Sequence, residues 1–180
     1  MSDDHEIIYP LVENYLPKQF IYDIGLYLQT IAHIEFSICT LILEIFEYEE
    51  GCTEWVLNLH RLRKLPQKEL LSELRKASKR LPEQPGQGLI ELVEWMNTYK
   101  QNRHIAAHGA FYATERPGVL KVHYTHLSGD KENREYVAES AELTRGVALE
   151  LIQDADRILR VLFGVREAIR KGEIVLRNEG

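Results

Sequence analysis

A chain of 180 residues, 44% hydrophobic and 28% charged, is long enough to bury its own core and too apolar to remain disordered. Its net charge of −6 and its two cysteines exclude a uniformly basic nucleic-acid coat and a disulfide-stapled secreted scaffold. No linker or internal repeat divides it, so one domain over 1–180 is expected, with its core at about residues 18–171.

The first residues, Met1-Ser2-Asp3-Asp4-His5-Glu6, are acidic and lack the basic and apolar segments of a secretory signal, so a cytoplasmic protein is expected. A short helix is read from Glu6 to Tyr15, interrupted at Pro10 and closed by Pro17. From Lys18 to about Glu49, Phe20, Ile24, Leu28, Ile31, Ile34, Ile38, Leu41, Ile42 and Ile45 recur at three and four, the period of a long central helix. Asp23, His33, Glu35 and Glu44 interrupt it, and one charge at mid-membrane costs about 2.5–3.5 kcal/mol, so the helix is read as buried in protein with no membrane involved. Glu35, desolvated in that stretch, needs a partner. It either accepts hydrogen bonds from a neighbouring helix or subunit, or orients Arg103 or His104; His33 is read as packing.

After a brief segment at Thr53–Leu59, Pro66 opens a helix with Leu70, Leu71, Leu74, Ala77 and Leu81 on one face. Leu81–Gly88, with two prolines and two glycines, reads as a loop, and a motif helix follows from about Leu89 to His108. Beyond Gly109 the period becomes two, which predicts a hairpin: Ala110–Thr114, a turn at Arg116-Pro117-Gly118, and Val119–Thr125. Its Tyr112, His123, Tyr124 and His126 are read as cross-strand packing or contacts to bases or a partner subunit, without a catalytic part. Ser128–Glu135 is polar loop, and a last helix is expected over about Val137–Lys171, its wide apolar stripe covering core and interface before a fraying tail. The predicted fold class is all-α, a bundle of four to five helices with a small β-hairpin after the motif helix.

Charge is unevenly spread along this chain. Residues 1–59 carry one basic and eleven acidic side chains, 60–103 ten basic and five acidic, and 104–180 eleven and twelve. The basic segment leads into the motif helix, and Arg75, Lys76, Lys79, Arg80 and Lys100 form a candidate RNA-binding surface within it; a solvated helix face is the alternative. The motif helix ends Asn102-Arg103-His104-Ile105-Ala106-Ala107-His108-Gly109. Arg103, His104 and His108 supply two kinds of cationic donor suited to phosphate, and cations are stable in the last turn of a helix. Arg103 and His108 lie about 140° apart around an ideal helix, so the long guanidinium arm or a loosened last turn must bring them together. Gly109 is placed where a helix end calls for a positive φ.

Arg103-x4-His108 late in a helix, with a polar residue directly after the arginine and Glu35 in a strongly apolar preceding helix, resembles the motif of the HEPN (higher eukaryotes and prokaryotes nucleotide-binding) family. The likeness covers about residues 18–171. It implies a metal-independent endoribonuclease, of the kind found in toxin and defence systems, that cleaves RNA through 2′-hydroxyl attack and needs no cofactor. His108 and Arg103 of two facing subunits would make one composite catalytic site in a homodimer, with His104 a further catalytic residue that orients the pair and Glu35 and Asn102 in support. An antitoxin or a nucleotidyltransferase is a further partner to consider. Some members carry a tyrosine two positions after the histidine; this chain has Ala110 there.

Three other readings stand beside it. The chain could be a HEPN-like nucleotide- or RNA-binding or protein-interaction module without turnover. His104 and His108, at i and i+4, share a helix face and could ligate a metal, although no glutamate follows the first histidine and no third ligand is linked to them by spacing. The plainest alternative is a helix end with solvated His and Arg.

Overall fold

A computed structural model describes residues 12–128 and 135–177, so the expected helix before residue 12, most of the polar loop after Ser128 and the end of the tail lie outside the described residues. In chain order the elements are α1 (Val12–Tyr15), α2 (Lys18–Ile45), α3 (Thr53–Arg63), α4 (Gln67–Ala77) with a 3-10 turn at Ser78–Arg80, α5 (Glu83–Thr98), α6 (Lys100–His108), β1 (Ala110–Ala113), β2 (Val119–Ser128), β3 (Glu135–Thr144) and α7 (Arg145–Arg170). The chain is thus predominantly helical with one small antiparallel sheet, ordered β1-β2-β3. It divides into two compact units, one of residues up to Leu28 with His104–Ile152, the other of Gln29–Arg103 with Gln153 onward.

The helical unit takes its core from the C-terminal part of α2, where Ile31, Ile34, Ile38, Leu41, Ile42, Leu43 and Ile45 are buried. Each such side chain contributes about 1.5–3 kcal/mol by leaving water. Although α2 is long and apolar enough to cross a membrane by composition, this apolar face is used inside the protein. His33 lies on its exposed side, so it needs no packing partner. Cys39 is buried on the same helix, and desolvation pushes its thiol up to about 11, against the opposing pull of the Arg63 charge. Leu70, Leu71, Leu74 and Ala77 of α4 and Leu89, Leu92, Val93 and Met96 of α5 complete the buried set with Leu62, Ala155 and Leu162.

The end of α2 is built by a residue read from sequence as RNA-binding. Tyr48 N–H donates to Leu43 O and Glu47 N–H to Glu44 O, both at 3.0 Å, the double bond of a Schellman cap, with Glu47 in the left-handed region at φ 59°. Arg80 donates through Nη1 to Ile45 O at 2.8 Å and through Nη2 to Glu47 at 2.7 Å, and stacks over Phe46 at 5.6 Å. Its guanidinium therefore serves the cap of α2. Replacing Arg80 by alanine is expected to lower unfolding free energy by about 1–3 kcal/mol, the range for charge-assisted hydrogen bonds, seen as a lower urea midpoint.

Two helix boundaries differ from expectation. The stretch read as a loop, Leu81–Gly88, is largely the first turns of α5, since Pro82 precedes the helix and Pro85 sits where N–H groups have no intrahelical partner. Gly86 is needed there because a β-carbon would lie 2.8 Å from Ser78 O. The expected single motif helix is divided at Tyr99 into α5 and α6.

The sheet-bearing unit corrects the predicted hairpin to three strands, and α7 begins at Arg145 rather than near Val137. β3 runs antiparallel to β2 over its whole length, from Val119↔Thr144 to Ser128↔Glu135. Along β2, Leu120, Val122 and Tyr124 are buried while Lys121, His123 and Thr125 are exposed, the alternation of a sheet with one wet face. The turn between β1 and β2 stands where it is expected, with Gly118 at φ 76° and Thr114 Oγ1 donating to Val119 O at 2.9 Å. Thr144 Oγ1 then accepts from Val147 N–H at 3.3 Å and so caps α7. In the same unit Asp23, 2% exposed, accepts from Gln19 at 2.8 Å and faces Arg145 at 3.6 Å.

Candidate functional site

The boundary between the two units falls within α6, between Arg103 and His104, so the residues of the motif are taken unit by unit. In the helical unit Arg103 meets Glu35 in a forked ion pair, Nε to Oε1 at 3.1 Å and Nη2 to Oε2 at 3.5 Å. Both side chains are partly exposed, which limits what the pair adds to stability but fixes the plane of the guanidinium. Glu35 has therefore found its partner on α6, one of the alternatives open in the sequence. Asn102 is half-buried on the same helix.

The basic residues of this unit are not one uniform surface. Arg75, Lys76, Lys79 and Lys100 are exposed, Lys76 pairs with Glu73 at 2.7 Å, and Arg80 is held in the cap of α2.

In the sheet-bearing unit His104 Nε2 lies 3.0 Å from Thr125 O, a bond in which the imidazole N–H donates to the strand carbonyl. His104 and His108 have ring centroids 5.0 Å apart. His104 is thus tied to β2, whereas His108 is exposed as the last residue of α6. The next residue does not have the positive φ expected of it. Gly109 instead allows a close approach: a β-carbon there would stand 2.5 Å from Ile105 O and 2.6 Å from Val122 Cγ2.

His108 lines a cavity of about 250 Å³ with His123, Tyr124 and Thr125 of β2 and Ala138, Glu139 and Ser140 of β3. The register pairs His123 with Ser140, and Ser140 Oγ lies 2.7 Å from His123 Nδ1. Tyr112 stands edge-on to the His123 ring at 5.3 Å. Tyr124 Oη donates to Glu139 Oε2 at 2.6 Å, and His126 Nε2 is 3.9 Å from the other oxygen of that carboxylate. Sequence alone does not show this wall, because Ala138, Glu139 and Ser140 lie in the stretch expected to be helical and only pairing with β2 makes it a strand. Among the described residues no three His, Cys, Asp or Glu side chains are grouped to hold a metal, so His104 and His108 have no third ligand there.

No family model, curated protein or solved structure matches this chain.

Proposed function

We propose that the chain is a HEPN-like, metal-independent endoribonuclease whose helices form the family's four- to five-helix bundle and whose reacting group is His108. The observation that carries this reading is the position of His108, exposed at the end of α6 and opening onto a cavity walled by proton-carrying side chains. Attack of a ribose 2′-hydroxyl on the adjacent phosphorus needs a base at that oxygen, an acid at the departing 5′-oxygen and positive charge at the equatorial oxygens. His108 transfers a proton and His104, bonded to Thr125 O, holds the helix end against β2; the part of Arg103, neutralising the phosphorane, is what the resemblance implies.

The working form is proposed to be a homodimer in the cytoplasm. Tyr22 and Phe36 on α2 and Val147, Val161 and Phe163 on α7 are exposed, and a two-fold interface is one way to cover such side chains. An antitoxin or nucleotidyltransferase remains a proposed partner on the resemblance alone. The test is cleavage of RNA by purified protein in excess EDTA, read as a product ending in a 2′,3′-cyclic phosphate.

A second reading, a binding or interaction module without turnover, is favoured by one observation: the Arg103 charge is already met by Glu35. RNA that is bound but left intact over many sequences and loops supports that reading instead.

Substrate contact is expected from the exposed lysines. Changing Lys76 and Lys79 together to alanine should weaken RNA binding and flatten the slope of log K against log salt by about 0.7 for each lost phosphate contact, with the cleavage rate of bound RNA unchanged. Filter binding at several salt concentrations measures this, and an unchanged slope places the RNA elsewhere.

A further inference from the structure

Resting on the reading of His108 as a proton-transfer group, we infer that His123 is the second catalytic residue, the general base, and that Ser140 is its positioning residue. One histidine cannot both accept the 2′-hydroxyl proton and supply one to the leaving oxygen in the same step. Two facing subunits would provide a second histidine, but the cavity beside His108 already holds one from its own chain. Of the other groups on this wall, Glu139 is taken by the Tyr124 hydroxyl at 2.6 Å, and His104 is bonded to Thr125 O.

His123 is held as a base needs to be. Its Nδ1 is 2.7 Å from Ser140 Oγ across a strand pair in direct register, and Tyr112 packs edge-on against the ring. The serine hydroxyl can accept from Nδ1–H in both the neutral and the charged ring, and in the tautomer where it does so Nε2 is the nitrogen that exchanges the proton. With His123 as the base, His108, exposed at the end of α6 and lining the same cavity, takes the part of the acid.

The step balances without a metal or a co-reactant. Neutral His123 takes the proton of the 2′-hydroxyl as the 2′-oxygen forms a bond to phosphorus. The bond from phosphorus to the 5′-oxygen breaks, and charged His108 protonates that oxygen. The products are a 2′,3′-cyclic phosphate and a free 5′-hydroxyl, leaving His123 charged and His108 neutral, and solvent exchange restores both.

The experiment compares RNA with uridine 3′-(4-nitrophenyl phosphate), whose leaving group departs without protonation. On wild-type protein both substrates are consumed. His108→Ala should lose roughly 10²- to 10⁴-fold on RNA and little on the nitrophenyl ester, whereas His123→Ala should lose a comparable factor on both. Ser140→Ala should lower both rates about tenfold, the scale of one hydrogen bond, and Ser140→Thr, which keeps the hydroxyl, should restore them. His123→Gln and thermal melts of all variants separate loss of the base from loss of the fold. Wild-type rates in folded His123→Ala overturn the role of His123 while RNA cleavage by His108 stands. Loss confined to RNA in that variant makes His123 an acid and overturns its assignment as base. If wild-type protein consumes neither substrate, the ribonuclease reading falls and this inference falls with it.

Discussion

Replacing His108 by alanine is expected to lower the rate of RNA cleavage by roughly 10² to 10⁴, the usual consequence of removing a general acid or base, with RNA affinity nearly unchanged. The side chain is exposed at the end of α6 and supports no core contact, so the variant should melt with the wild-type protein. That combination separates chemistry from folding. Single-turnover cleavage at saturating protein, with binding measured on a 2′-deoxy analogue, gives both numbers. A parallel loss of binding and rate would make His108 a phosphate contact rather than a proton donor.

The second large effect is expected one residue further on. Gly109→Ala adds a single methyl group, yet its position would be 2.5 Å from Ile105 O and 2.6 Å from Val122 Cγ2. The first neighbour is backbone and the second belongs to a buried strand residue, so neither yields without moving the junction of α6 and β1. Overpacking of this kind costs about 1–3 kcal/mol, visible as a lower urea midpoint. Because the junction carries His108, activity should fall as well, by up to about 10²-fold for a displacement near 1 Å. Since φ at Gly109 is not positive, the cost is steric. Gly109→Ser should therefore behave like Gly109→Ala. Wild-type stability in both would contradict the close approach of β2 to the helix end.

What could be read from sequence follows from which interactions are local. The central helix is legible because Ile31, Ile34, Ile38, Leu41 and Ile45 repeat at the helical period, and the same face is buried in the structure. The turn at Pro117-Gly118 is legible because proline and glycine act on their own neighbours, whereas α6 ends at His108 as expected although Gly109 lacks the positive φ on which that expectation rests. β3 is not legible, because Ala138, Glu139, Ala141 and Glu142 favour a helix in isolation and only pairing with β2 makes them a strand. A helical reading of this stretch leaves out Ala138, Glu139 and Ser140, three of the seven residues that line the cavity. His123 and Ser140 are 17 residues apart and meet only through strand register, which no short motif encodes. The bond from Arg80 to Ile45 O, 35 residues earlier at the end of α2, is likewise not encoded in the basic run around it. The pairing of Arg103 with Glu35 lies between these limits, for a carboxylate in an apolar helix announces a partner without naming it.

The most direct test of RNA cleavage at His108 is an analysis of products. Purified wild-type protein is incubated in excess EDTA with an oligoribonucleotide and with its counterpart carrying 2′-deoxyribose at the cleaved position, and the ends are identified by mass spectrometry. The proposed chemistry predicts cutting of the ribose substrate alone, with a 2′,3′-cyclic phosphate on one fragment and a 5′-hydroxyl on the other. Cleavage that EDTA abolishes and zinc restores, cleavage of the deoxy substrate, or RNA bound but never cut would contradict it.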